Sequence, residues 1–237
     1  SSRQGPSEAA SGAGEEQATP SRKRASGSRR RTIPWSRKST GTSAGFPPVA
    51  ASVPEVPDVF ISVDIETAGP APSTHALLSL GACLVDDPSR AFYAELQPTS
   101  PEAVPEALEV SGLSMAHLAA HGLPAEEGMR RFAAWVGEVC LPGARPVFVA
   151  FNAGFDWMFV ADSFHRFALP NPFGHAALDI KALYMGATGE PWDRTSFHAV
   201  ATRFGLHPRL PHHALEDARI QAEVLRRDDV GFVALAP

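Results

Sequence analysis

Residues Val59 to Thr67 read VFISVDIET. The apolar, largely β-branched start suits a strand covered on both faces. The end of the stretch breaks that pattern. Asp64 and Glu66 are one residue apart, and side chains along a strand alternate between faces, so the two carboxylates point to the same side. Like charges that close repel, and burial strengthens the repulsion. Two readings resolve the conflict. The strand ends at Val63 and both acids lie in solvent, or a divalent cation sits between them and turns the repulsion into a binding site. Magnesium suits the second reading, because it takes one or two carboxylates and keeps positions for water and phosphate.

Outward from this stretch, HALLSLGACLVDD (75–87) and RAFYAELQ (90–97) read as two further strands, joined by the turn signal DPS. So short a connection makes the pair antiparallel. Helical periodicity follows at 105–110, 114–120 and 126–139, where Met129, Phe132, Ala133 and Val136 recur at helical spacing. PVFVAFN (146–152) is a fourth strand, FDWMFVADSFHRF (155–167) a helix that LPNP ends, and LDIKALY (178–184) a short fifth strand or a helix start. Helices close the pattern at SFHAVATRFG (196–205), with Gly205 as the stop, and at ALEDARIQAEVLRR (214–227), whose apolar stripe runs Leu215, Ala218, Ala222, Leu225. Three strands followed by alternating strands and helices predict an α/β domain, a mixed sheet flanked by helices, over residues 57–229.

The rest of the chain has another character. Residues 1–56 hold nine Lys/Arg and four Asp/Glu, a net +5, whereas 57–237 hold twelve and twenty-two, a net −10. The N-terminal part is rich in Ser, Gly, Ala, Pro and Arg and poor in apolar groups, a composition that cannot offset its chain entropy by burial, so 1–56 is read as a disordered basic tail and linker. Its SRKRASGSRRR (21–31) is a solubilising run or a non-specific nucleic-acid tether. An export signal would need an apolar segment after SRRRT, and none follows. The chain begins at Ser1 rather than methionine, which leaves room for residues ahead of it. Residues 230–237 are a C-terminal tail. No apolar run reaches the roughly 20 residues of a membrane span, and Cys83 and Cys140 have no metal or redox spacing. Together these features favour a reducing, cytoplasmic setting without membrane contact.

Three more chemically loaded positions join the opening pair. AFNAGFDWMFV (150–160) places Asp156 in the first turn of a helix, where the helix dipole is a sufficient explanation for a lone acid. LPHHALEDARIQAEVL (210–225) places Asp217 in the first turns of the last helix, at the edge of its apolar stripe, with His212 five residues earlier. Singly each is an ordinary surface group. Together they make carboxylates at a strand end and at two helix starts, plus one imidazole.

Asp64-Ile-Glu66-Thr67, Asn152-Ala-Gly-Phe155-Asp156 and His212-His-Ala214-Leu-Glu-Asp217 resemble, in order, the three motifs of the DEDDh 3′→5′ exonucleases, the superfamily of ribonuclease T, oligoribonuclease and polymerase proofreading subunits. The resemblance spans about residues 57–229 and implies a ribonuclease-H-like fold. It implies two Mg²⁺ or Mn²⁺ ions on Asp64, Glu66, Asp156 and Asp217, and His212 as the general base for the attacking water, with His213 as the rival that lacks the five-residue offset to Asp217. It implies that Ile65, Thr67 and Asn152 lie at the terminal nucleotide, that the substrate is the 3′ end of single-stranded DNA or RNA, and that nucleoside 5′-monophosphates are released. One departure is visible: many members carry His-Gly-Ile/Leu-Thr where this chain has Ser111-Gly112-Leu113-Ser114, a change expected at a helix start, where it bears on substrate contacts more than on the chemistry and leaves the metal ligands intact. Two other functions are compatible with such a fold. A non-catalytic nucleic-acid-binding module would have lost acids, and all four are present. A polymerase-associated proofreading subunit would need a partner-binding segment outside the core, which makes a stand-alone enzyme the favoured form. Dimerisation, common in relatives, is left open.

Overall fold

A computed structural model of the chain describes residues 56–227. The expected tail and linker at 1–56, save residue 56, and the expected C-terminal tail at 230–237 lie outside the described residues, as do residues 228–229 at the end of the expected domain. Strands β1 (Asp58–Thr67), β2 (Leu77–Leu84) and β3 (Ala91–Glu95) form an antiparallel meander. Helices α1 (Pro105–Ser111), α2 (Met115–His121) and α3 (Ala125–Val139) lead to β4 (Arg145–Ala150), which pairs parallel to β1. Then come α4 (Gly154–Arg166), β5 (Ala177–Asp179), parallel to β4, and α5 (Ile180–Thr188). Finally, α6 (Phe197–Arg203) and α7 (Ala214–Leu225) complete the chain order. The sheet runs β3-β2-β1-β4-β5. The segment 178–184 supplies both a strand end and a helix start, because the Asp179 carboxylate caps α5 by accepting from the Ala182 N–H at 2.9 Å.

Both faces of the sheet are covered, which explains the apolar opening of β1. Ile61, Val63 and Ile65 point to the face packed by Phe132 and Val136 of α3 and by Phe159 and Phe164 of α4. The opposite face carries Cys83 and Val149 against Ile180, Tyr184, Val200, Ala222 and Leu225 from α5, α6 and α7. On this second face β1 presents Phe60, Ser62, Asp64 and Glu66, passing from apolar to acidic along its length.

Gly81 governs how closely the last helix approaches. It stands opposite Asp64 in the β1–β2 register. A Cβ there would collide with the backbone of Ala214 and Leu215, at the start of α7. The helix therefore rests directly on the strand pair, and its first turns reach the acidic end of β1.

The segment that departs from the family pattern joins α1 to α2. Gly112 ends α1 in the left-handed region at φ 67°, and the Ser114 side chain caps α2 by accepting from His117 N–H. Leu113 packs beside Ala68, Leu78 and Leu118 in a small satellite core.

Candidate active site

Four carboxylates converge where β1, α4 and α7 meet. The strand continues through both acids: Asp64 pairs with Gly81 and Glu66 with Ser79, so the reading in which β1 stops at Val63 is overturned. Glu66, His212 and Asp217 bring ligand atoms within 4.8 Å of one another. Asp156, in the first turn of α4, is buried. It lies near enough to Asp64 for their charges to act on each other.

The electrostatics record the crowding. Burial, then the charges of Asp156, Asp217 and Glu66, push the Asp64 carboxyl well above its ordinary range, against one opposing hydrogen bond from Gln221. Burial and Asp217 lift Glu66 to about 7. Asp156 is raised chiefly by burial, although backbone N–H groups of Asp156 and Ile65 draw it down. Burial lifts Asp217 to about 6, with His212 and His213 opposing. A buried Oδ1 of Asp217 has no hydrogen-bond partner among the described residues. Desolvated, mutually repelling oxygens with an unmet acceptor fit a divalent cation better than any partner the chain itself supplies.

His212 enters from the loop before α7, exposed, with φ 58°. That is an uncommon conformation for a residue with a Cβ. Its neighbour His213, whose charge also acts on Asp217, stacks on Tyr93 of β3, with ring centroids 4.6 Å apart. The stack ties the loop to the sheet edge and leaves the His212 imidazole at the carboxylates.

The remaining expected residues lie around this cluster. Ile65 sends its side chain into the opposite core and leaves its backbone beside Asp156. Thr67 is buried, and its hydroxyl donates to the Gly69 carbonyl at 2.9 Å. Asn152 is exposed in the turn between β4 and α4, with φ 64°, and its carbonyl accepts from Phe155 N–H at 3.1 Å. Phe155 packs against the core and Phe159. Asp179 is spent on its helix cap.

Two features differ from the sequence expectation. Asp217 is only 1% exposed and lies within the packed face of α7 rather than at its edge, whereas Leu215 is only half-buried. The buried face of α7 runs through Ala214, Asp217, Ala218, Gln221 and Ala222 because the first turns of the helix lie over the acidic part of β1. Gln221, which the sequence reading passed over, belongs to this face and donates to Asp64 Oδ1 at 2.6 Å. The available signal was its position four residues after Asp217, on the same side of the helix.

Comparison with known proteins agrees with this geometry. The family described as exonuclease, of the ribonuclease T type, matches residues 61–225. The 3′-5′ DNA exonuclease Cap18 of Escherichia coli is 42% identical over 172 residues, covering 73% of this chain and 92% of that protein. Among solved structures, the nuclease domain of 3′hExo, a DEDDh family member bound to rAMP, superposes with a TM-score of 0.60 at 15% identity, over 71% of this chain and 90% of that one. A zinc-bound E. coli exonuclease I in complex with single-stranded DNA gives 0.58 at 15% identity, over 73% of this chain and 42% of that one. The two structural likenesses speak for the ribonuclease-H-like fold, and the family match with the 42% relative speaks for descent. This chain therefore belongs to the exonuclease family, as a 3′→5′ exonuclease of the DEDDh class.

Proposed function

We propose that the protein removes nucleotides one at a time from the 3′ end of single-stranded DNA, using Asp64, Glu66, Asp156 and Asp217 as ligands for Mg²⁺ or Mn²⁺ and His212 as general base. The observation that carries this reading is the convergence of desolvated carboxylates on the acidic end of β1, with a buried Asp217 oxygen left unpaired. The ions, when bound, supply an acidified water and charge compensation for the phosphate. DNA is preferred over RNA because the 42% identical relative is a DNA exonuclease.

Each side chain then has a task. The four carboxylates bind the cations and fix their position relative to β1 and the two helix starts. His212 faces that cluster from solvent and takes the proton of the attacking water as the water oxygen bonds to phosphorus and the bond to the 3′ oxygen breaks. The departing 3′ oxygen is protonated from solvent, to which His212 returns its proton, leaving a 3′-hydroxyl and a nucleoside 5′-monophosphate. The exposed Asn152 turn, the Thr67 end of β1 and the backbone at Ile65 border the site and contact the terminal nucleotide. His213, turned onto Tyr93, takes no part in proton transfer.

The test uses matched 5′-labelled single-stranded DNA and RNA with Mg²⁺, Mn²⁺ or EDTA, and the Asp64→Ala variant alongside. The expected result is a metal-dependent ladder shortening from the 3′ end, faster on DNA and absent in the variant. Faster loss of RNA would overturn the choice of substrate, and shortening that persists in EDTA would overturn the metal-ligand assignment.

A further inference from the structure

We infer that Gln221 is a positioning residue, which holds the Asp64 carboxylate in the orientation needed to bind a cation. The inference rests on the reading of Asp64 as a metal ligand. Gln221 is 1% exposed, one helical turn beyond Asp217 on the packed face of α7. Its Oε1 accepts from the Phe151 N–H at 2.8 Å, and its Nε2 donates to Asp64 Oδ1 at 2.6 Å. The Phe151 N–H can only donate, so it takes Oε1 and turns Nε2, which can only donate, toward Asp64 Oδ1; reversing the amide would set donor against donor at Phe151.

Nothing else among the described residues takes this role. Gln221 is the one side chain that hydrogen-bonds to Asp64. The position across the strand pair is Gly81, which has no side chain to brace the carboxylate. The amide therefore joins three elements at the site: β1 through Asp64, the turn leading to Asp156 through Phe151, and α7, which also carries Asp217. Holding Oδ1 restricts rotation of the Asp64 carboxyl group.

The residue type fits the task. A lysine or arginine here would offer donors but would compete with the cation for the carboxylate. A glutamate would add another negative group to a site already crowded with them. Glutamine supplies a charge-assisted donor without net charge. Partners of this kind, which orient metal ligands, change metal affinity about 10–100-fold when removed.

Gln221→Met keeps the approximate length and loses both hydrogen bonds. The full chain and this variant are titrated with Mn²⁺ by calorimetry without nucleic acid, and their thermal unfolding is followed in EDTA to establish that the variant folds. The expected result is about 10–100-fold weaker Mn²⁺ binding. The Mn²⁺ concentration for half-maximal nuclease rate should rise in parallel, and most of the rate should return at saturating metal. A folded variant that binds Mn²⁺ within twofold of wild type overturns the role. If the variant does not fold, the Gln221 side-chain amide resonances of wild type decide: a shift on titration with Mg²⁺ supports the role, and an unmoved signal overturns it. Wild type that binds no Mn²⁺ would instead remove the metal-site reading beneath it, a result distinct from failure of Gln221 alone.

Discussion

The proposed role of His212 as general base can be tested through its backbone. Its φ of 58° places it where asparagine and glycine are tolerated better than most residues. His212→Asn should therefore fold with an unfolding temperature within about 2 °C of wild type, while kcat falls about 10²–10⁴-fold, the usual contribution of a general base. Unchanged kcat would remove His212 from the mechanism. The motif residues stood out in the sequence only as a set: Asp64 and Glu66 end an apolar strand, but Asp156, Asp217 and His212 read singly as ordinary surface groups, and their resemblance to three family motifs in order is what joined them. Gln221 was not legible, since a glutamine in a helix ordinarily reads as a solvent-facing group. It became meaningful once α7 was seen to press that face onto β1.

At the scale of elements, the site depends on how α7 sits on the strand pair. Gly81→Ala would drive a methyl group into the backbone of Ala214 and Leu215, which cannot rotate away as a side chain could. We expect a loss of about 1–3 kcal/mol in urea unfolding, with a larger proportional loss of activity because Asp217 and Gln221 shift with the helix. Gly137→Ala, on α3, is the control: nothing lies within 4 Å of an added Cβ, and a helical glycine replaced by alanine should be neutral or stabilise by up to about 1 kcal/mol. Equal effects of the two substitutions would show that the close approach at Gly81 does not matter. The elements themselves were readable from periodicity, down to the short helices on either side of Gly112. The buried face of α7 was not, because apolarity placed Leu215 inward and Asp217 at the rim, whereas contact with an acidic strand buries Asp217 and leaves Leu215 half-buried.

Over the whole molecule, the carboxylate cluster makes stability depend on pH and metal together. Glu66 and Asp217 are raised in the folded protein to about 7 and about 6, above their ordinary values. The fold thus holds protons that the unfolded chain releases, so their contribution is fully present below the unfolded-state range near pH 4 and is lost as pH rises through 6 and 7. In EDTA the unfolding temperature should fall between pH 5 and pH 8, by on the order of 5 °C, and Mn²⁺ should abolish the fall at pH 8. A metal-free protein equally stable at both pH values would contradict the electrostatic reading. The charge asymmetry gives a second expectation. The described domain belongs to the acidic part of the chain and the first 56 residues to the basic part. Removing residues 1–50 should lower affinity for long strands and flatten its dependence on salt. An unchanged salt slope would show that the basic run is no tether. Among the described residues no helix is long and apolar enough to cross a membrane.

Sequence by itself determined the kinds of element and their order, because those follow from local periodicity, and it offered the four acids and the histidine as candidates through their resemblance to three motifs of a known family. Tertiary structure decided the rest. Only strand pairing shows that β1 runs on through Asp64 and Glu66. Only packing across Gly81 brings Asp217 to them. His213 stacks on Tyr93 while His212 brings a ring nitrogen to Glu66 and Asp217, and the Gln221 link from Asp64 to Phe151 spans 157 and 70 positions of chain. Contacts at such separations leave no local periodic trace in one sequence; they arise when a glycine permits close approach and a buried polar group must find its partner.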